Sequence, residues 1–208
     1  MQPLHYDIAM TLDAKSASFS ARVAIDLEVT APTNGITLHA ADLKFTSATL
    51  TPKTGAAQGA HIAVNKAAQT ASFRFAKPLA RGRYKLAVDY TGTIGSQAVG
   101  LFLLDYETSE GKRRALFTQF ENSDARRMIP SWDEPAFKAT FALRATVPAG
   151  EMAVSNMPVK SIDQIGMLAD TWALGLAGLQ PASNFLDLAQ ATPLTADPQV
   201  WTRIADGR

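Results

Sequence analysis

The sequence predicts a mainly β protein: an antiparallel β-sandwich over residues 1–159, followed by a few short α-helices over residues 160–208. Two patterns predict this order. Before about residue 159, short runs that alternate apolar and polar residues are separated by Gly, Pro, Asn and Thr. After about residue 160, apolar residues recur at helical spacing. The hydrophobic content of 47% is ordinary for a folded chain.

The clearest strand signal is SFSARVAIDLEVT, residues 18–30. Alternate residues from Phe19 to Val29 are apolar, as in a strand with one buried face. RYKLAVDYTG, residues 83–92, repeats the pattern, and TPKTGAAQGAHIAVNKAAQTA, residues 51–71, indicates a loop and a weak hairpin. Further candidate strands are ITLHA (36–40), TASFRFA (70–76), RALFTQF (114–120) and FKATFALRATV (137–147).

Three short helices are predicted after residue 160, in residues 161–181, 183–193 and 197–208. In the first of them Ser161 is a suitable N-cap, and Pro181 ends the helical pattern. Three short helices rarely bury enough surface to fold alone, so we expect them to dock on the sheet, on another copy or on a missing partner. The apolar stripe of the first helix consists of Ile162, Ile165, Leu168, Trp172, Leu176 and Leu179.

Composition excludes several classes of function. The formal net charge is +1 and no Lys/Arg block has interleaved aromatic residues, so neither nucleic acid nor an anionic membrane surface is expected as a partner. The absence of Cys excludes disulfides and thiolate metal sites. No apolar run is long enough to span a bilayer, and the first residues do not resemble a signal peptide. A cytoplasmic location is expected, although an exported protein without disulfides also fits.

Local motifs do not identify a catalytic residue or a metal ligand. No two of His5, His39 and His61 are three or four residues apart, so no local zinc pair exists. His39 lies in an apolar strand and is interpreted as a structural histidine. The sequence contains no GxSxG, no Walker loop and no dinucleotide-binding glycine pattern.

The most polar stretch is FTQFENSDARRMIPSWDEPAFKATF, residues 117–141. Asp133 and Glu134 are adjacent carboxylates followed by Pro135. An acid/base pair is one interpretation, but neighbouring side chains of a strand point to opposite faces. The favoured interpretation is a turn, in which Asp accepts backbone N–H bonds and Pro restricts the next φ. Trp132 is interpreted as a core residue.

The Arg pair in this stretch has two interpretations. Arg126 and Arg127 could bind a substrate carboxylate through two parallel hydrogen bonds. Alternatively, one of them pairs with Glu121, Asp124 or Asp133 and holds the loop in shape. The second interpretation is favoured, so Arg126, Arg127, Asp133, Glu134 and Pro135 are predicted to be structural.

Residues 118–143, TQFENSDARRMIPSWDEPAFKATFAL, resemble the end of the N-terminal domain in zinc aminopeptidases of the aminopeptidase N type, which have a T-Q-F/M-E…AR…P..DEP..KA.F pattern. This resemblance implies a saddle-like N-terminal β-domain over residues 1–159. Residues 160–208 resemble the start of the family's C-terminal helical domain. Further matches to the family are PLHYDIAMTLD (3–13), ITLHAADLKF (36–45), YTGTIGSQAVGLF (90–102) and VSNMPV (154–159).

The resemblance implies that the catalytic domain is missing between these two parts. The family binds zinc through an HExxH segment, with a Glu as general base, and binds the peptide backbone through a GAMEN-type segment. Neither segment is in this sequence. We therefore expect no cofactor in this chain, zinc only in a full-length relative, and no hydrolysis by this chain alone.

The resemblance also implies two substrate-binding residues, Gln119 and Glu121, which match the family's residues beside the first residue of the substrate. For this chain without the catalytic half, the favoured interpretation is that both residues face water or pair with Arg126, because a pocket with one wall loses solvent contacts without closing around the ligand. Expected partners are peptide N-termini or a catalytic domain, and the helical segment predicts self-association. The leading function is a non-catalytic domain of a zinc aminopeptidase that faces the substrate N-terminus, and the alternative is a peptide-binding, protein-binding or assembly module.

Overall fold

The structure is a computed structural model that describes residues 1–148 and 151–155. One compact unit comprises Met1–Met152. The predicted domain boundary at residues 159–160 and the three predicted helices lie outside the described residues. In the described ranges no helix has the length and hydropathy needed to cross a bilayer.

The mainly β fold class is confirmed. Strands occupy most of the described chain, and a short 3₁₀ turn, Ala125–Arg127, lies between the last two of them. The strands of the described part are β1 Gln2–Asp13, β2 Ser18–Val29, β3 Thr33–His39, β4 Lys44–Pro52, β5 Gln58–Asn65, β6 Thr70–Leu79, β7 Gly82–Thr93, β8 Gly100–Thr108, β9 Gly111–Gln119 and β10 Thr140–Thr146.

Eight of the described strands form one sheet in the order β10-β1-β2-β7-β4-β5-β6-β3, and β8 pairs with β9 as a separate hairpin. Neighbouring strands are antiparallel except β1 and β10, which are parallel. This pair differs from the predicted all-antiparallel arrangement. Parallel neighbours require a long connection, and here most of the domain lies between the two strands in sequence.

The large sheet curls at β5. The first residues of β5 pair with β4 at Gly59 and Gln58, whereas the residues from Ala60 onward pair with β6. This change of partner turns β6 over the face of β4, where the rings of Phe45 and Phe73 meet edge to face at 5.6 Å. The curled sheet therefore encloses its own apolar core, as a sandwich does.

The core confirms the predicted alternation. The six alternate apolar residues of β2 from Phe19 to Val29 are all buried, and so are Leu86, Val88 and Tyr90 of β7. Each fully buried aliphatic side chain contributes about 1.5–3 kcal/mol relative to an exposed one. These central strands consequently supply much of the free energy that stabilises the sheet.

Two tyrosine hydroxyls are buried where the sheet meets the segment that follows β9. The Tyr6 hydroxyl accepts a hydrogen bond from the Trp132 N–H at 3.2 Å. Burial raises the pKa of Tyr6 to about 12, although the Trp132 N–H partly offsets this effect. Burial also raises the pKa of Tyr90, whose hydroxyl donates to the Met128 carbonyl at 3.0 Å.

We expect the free energy of unfolding to decrease as the pH rises above about 10, where an unfolded tyrosine loses its proton. Folded Tyr6 keeps its proton to about pH 12, so the unfolded state binds fewer protons in this interval. Each pH unit then lowers the free energy of unfolding by about 1.4 kcal/mol per such tyrosine. Urea denaturation between about pH 8 and 11 measures this slope. The slope should be smaller in Tyr6→Phe than in the control Tyr106→Phe, which changes an exposed ring. Equal slopes in both variants would contradict the assignment.

Candidate functional site

The segment between β9 and β10 turns back across the end of the sheet, and residues 120–133 of it are called the corner below. Its last residues pair with the end of β3. The His39 N–H donates to the Ser131 carbonyl at 2.8 Å, and the Ser131 N–H donates to the His39 carbonyl at 3.1 Å. The Asp133 N–H donates to His39 Nδ1 at 3.3 Å. His39 therefore has the structural role that its strand position predicted.

The middle of the corner is also fixed by hydrogen bonds to the sheet. The Arg126 carbonyl accepts from the Ala41 N–H at 2.9 Å. The Met128 carbonyl accepts from the Tyr90 hydroxyl at 3.0 Å, and Met128 itself is buried in the core. Buried backbone groups of a loop need such partners, so these contacts define the path of the chain.

Arg126 and Asp133 close the corner on itself. Arg126 Nε donates to Asp133 Oδ2 at 2.8 Å, and Arg126 Nη2 donates to the Asp133 carbonyl at 3.3 Å. The two side chains are only 14% and 17% exposed. Arg126 Nη1 also donates to Gln69 Oε1 at 3.4 Å, beside the β5–β6 turn. One guanidinium thus joins two positions of the corner to the sheet.

Arg127 holds the other side of the corner. Its Nε donates to Asp124 Oδ1 at 2.7 Å, and its Nη1 pairs with Asp42. The side chain lies against Gly100, the first residue of β8, whose φ is +64°. A Cβ at Gly100 would lie 2.9 Å from the Arg127 Cβ, so both the backbone conformation and the available space require glycine there.

Gln119 and Glu121 lie at the entrance to the corner. Gln119 is the last residue of β9, pairs with Gly100 across the hairpin and is exposed. The Glu121 N–H donates to Gln119 Oε1 at 3.5 Å, and the peptide bond between Glu121 and Asn122 is cis. The two predicted substrate-binding residues are therefore adjacent in space.

The Glu121 carboxylate is exposed and has no ion pair or hydrogen bond with residues 1–148 or 151–155. Arg126 forms its ion pair with Asp133, and Arg127 forms one with Asp124. In the described part of the chain, Glu121 therefore does not pair with Arg126, which was one of its predicted alternatives.

Glu134 and Pro135 follow the corner and are both exposed. The Phe137 N–H donates to the Glu134 carbonyl at 3.1 Å, so the chain makes a turn here. Asp133 is committed to Arg126, and its side chain is mostly buried. In this geometry Asp133 and Glu134 do not form an acid/base pair.

Phe117 is a candidate site residue that the sequence analysis did not identify. It lies two residues before Gln119 in β9 and therefore points to the same face of the hairpin. Its side chain is 46% exposed and its ring lies 5.9 Å from that of Phe102. Because side chains alternate between the two faces of a strand, the spacing of Phe117 and Gln119 in the sequence could have predicted that they share a face.

The described residues do not fit a zinc site. They contain no group of three His, Asp or Glu side chains that could hold a metal ion. His5 Nδ1 contacts Thr140 Oγ1 at 2.7 Å, His39 accepts from a backbone N–H, and His61 lies exposed on β5.

Residues 2–173 match the Peptidase M1 N-terminal domain family. The chain belongs to this family. The resemblance predicted from residues 118–143 is thereby confirmed.

Three relatives show the extent of the similarity. Aminopeptidase N of Acetobacter pasteurianus is 39% identical over 158 residues, which cover 76% of this chain and 43% of that protein. Aminopeptidase M1 of Arabidopsis thaliana is 35% identical over 161 residues, covering 76% and 18%. Endoplasmic reticulum aminopeptidase 1 of Mus musculus is 31% identical over 169 residues, covering 78% and 18%. The chain thus spans less than half the length of these relatives.

We expect Arg126→Met to lower the free energy of unfolding by about 3 kcal/mol, because it leaves the Asp133 carboxylate mostly buried without its partner. The control is Arg144→Met. Arg144 pairs with Asp7, but these side chains are 72% and 41% exposed. Loss of that exposed pair should lower the free energy by less than about 1 kcal/mol. Urea denaturation of both variants measures the difference, and equal losses would contradict the role of Arg126.

Proposed function

We propose that this M1 N-terminal domain binds the first residue of a peptide through Glu121 and Gln119, within a protein that removes N-terminal residues. The observation that carries the proposal is the exposed Glu121 carboxylate, which has no partner in the described ranges although its charged neighbours are paired. The relatives named above, which are described as aminopeptidases, support the same class of substrate.

The charges of the corner favour a cation at this position. Its three acidic residues are Glu121, Asp124 and Asp133. The last two are neutralised by Arg127 and Arg126. Glu121 therefore supplies the unneutralised negative charge. A peptide α-ammonium group is a small cation with N–H donors, which suits a carboxylate and an amide oxygen.

Gln119 and Phe117 complete the proposed contact. Gln119 offers an amide oxygen as a further acceptor and an amide N–H₂ group as a donor to the peptide backbone. Phe117 presents a half-exposed ring on the same face of β9. The first side chain of the peptide would lie against this ring once the ammonium group reaches Glu121.

We propose that the domain binds without hydrolysing. HExxH and GAMEN-type segments are absent from the printed sequence, and the described residues do not group metal ligands. Glu121 and Gln119 contact a peptide from one side only, so the interaction should be weak, with a Kd on the order of millimolar. In this proposal the bond-breaking groups belong to residues outside this chain.

Titration of the full chain with a Leu-Gly-Gly peptide tests the binding proposal. The free peptide should shift backbone amide NMR signals of Gln119 and Glu121 saturably, and the N-acetylated peptide should not, because acetylation removes the positive charge. Glu121→Gln should weaken binding at least about tenfold. Glu107→Gln is the matched control, because Glu107 is an exposed carboxylate elsewhere on the hairpin, 71% exposed. Equal affinities for both peptides, or equal effects of both variants, would refute the site.

A separate assay tests the expected lack of hydrolysis. The full chain is incubated with excess Zn²⁺ and a fluorogenic aminoacyl amide, with a zinc aminopeptidase of known activity as positive control. We expect no turnover above the blank. Chelator-sensitive turnover by this chain, retained after repeated purification, would overturn the non-catalytic assignment while leaving the binding test unaffected.

A further inference from the structure

Asn34 and Gly35 follow each other near the start of β3, the strand at one end of the eight-stranded sheet. The pairing of β3 with β6 is irregular here and skips Asn34. Thr33 is paired with Leu79, and the next pair joins Gly35 to Arg74, so β6 has several more residues than β3 between the two pairs. Asn34 therefore lies at an irregularity where the ladder does not fix its position.

The Asn34 side chain has no partner that holds it in place. Asn34 is exposed, and it forms no side-chain hydrogen bond with residues 1–148 or 151–155. Beside it, Thr33 Oγ1 donates to the Gly35 carbonyl at 3.1 Å and accepts from the Gly35 N–H at 3.4 Å. The second distance is long for an N–H···O bond, so this contact is weak. Within the described part of the chain, the Asn34 amide is thus free to turn toward the next backbone nitrogen.

The close approach of β6 requires a glycine after Asn34. A Cβ at Gly35 would lie 2.9 Å from the Phe73 carbonyl oxygen. This oxygen belongs to the backbone of a paired strand, so it cannot move aside as the end of a flexible side chain could. The fold therefore keeps position 35 without a side chain, and the backbone nitrogen that follows Asn34 is sterically open.

We propose that Asn34 is a site of deamidation through attack by the backbone nitrogen of Gly35. The Gly35 N–H loses its proton to hydroxide, and the nitrogen forms a bond to Asn34 Cγ. The Cγ–Nδ2 bond breaks, and Nδ2 leaves as ammonia with a proton from water. Water then opens the resulting succinimide at either carbonyl, which gives aspartate or isoaspartate at residue 34. The reactants are one segment of this chain and water, so no partner has to reach the site.

The two other asparagines in the described ranges show the contrast. Asn65 is followed by Lys66, and its Oδ1 accepts from the Ala68 N–H at 3.0 Å. Asn122 is followed by Ser123, whose hydroxyl donates to Asn122 Oδ1 at 3.2 Å. In both places the amide is held by a hydrogen bond, and the next residue has a side chain beside its backbone nitrogen. Neither asparagine combines the two features that favour the reaction.

The isoaspartate product alters β3 and its contact with the corner. It places an additional carbon atom in the main chain before Gly35, which displaces the rest of the strand relative to β6. Ile36 and Leu38 are each 1% exposed, and a close-packed core does not accommodate such a shift without loss of contacts. At the end of the same strand, His39 pairs with Ser131 of the corner. The modification therefore loosens β3 and the attachment of the corner together.

Peptide mapping of the full chain, incubated folded in mildly alkaline buffer, tests the site. Trypsin places the three described asparagines in separate fragments, 23–44, 54–66 and 115–126. Digestion in slightly acidic buffer prevents further reaction. We expect fragment 23–44 to gain the mass of an amide-to-acid conversion at least about tenfold faster than the other two, because Gly35 does not obstruct the attack. Equal rates in the three fragments would overturn the proposal.

Two variants and a free peptide serve as controls for this rate. Asn34→Gln should abolish the mass gain, because the longer side chain forms the ring far less readily. Asn65→Gln should leave the rate at residue 34 unchanged. Because the fold leaves Asn34 unpaired, we expect the folded chain to react within about tenfold of a free peptide of residues 30–39. A much slower reaction in the folded chain would show that the fold protects Asn34 and would refute the site.

Urea denaturation of the isolated isoaspartate form tests the effect on β3. Asn34→Asp is the matched control, because it carries the same new charge on an unaltered main chain. The isoaspartate form should unfold at a lower urea concentration than this control. Equal midpoints would contradict the loosening of β3, whereas the peptide map decides the site itself.

Discussion

The ion pair between Arg126 and Asp133 is the interaction on which the corner and the candidate site depend. It joins two residues seven positions apart at 2.8 Å, and both side chains are mostly buried. In such a partly desolvated place, a charge without its partner would be costly, so the pair strongly favours one loop geometry. The same guanidinium reaches Gln69, which ties this geometry to the sheet.

The pairing inside the corner also determines which charge is left outside it. Arg126 and Arg127 take up Asp133 and Asp124, and their side chains are turned toward these partners. Glu121 then remains at the exposed entrance beside Gln119. A rigid loop with one free carboxylate is a suitable arrangement for binding a cationic group, because little order has to be created on binding. Stability and the proposed function thus come from the same distribution of charges.

The family comparison relates this chain to one domain of longer proteins. The chain matches an M1 N-terminal domain and spans 43% of the Acetobacter pasteurianus aminopeptidase N and 18% of the Arabidopsis thaliana relative. A single domain of this kind can provide a binding surface and a scaffold.

The sequence by itself determined the β fold, the central strands and the family. β2 and β7 could be predicted because a strand with one buried face must alternate, and residues 118–143 carry a long motif. β4, with its run of Thr and Ser, has too weak an alternation to be predicted from period alone. Only the tertiary structure decided that Arg126 pairs with Asp133 and not with Glu121, that Arg127 reaches Asp42, and that β10 lies parallel to β1. These are contacts between residues brought together by the fold, and a local pattern holds no information about which of several distant partners comes within reach.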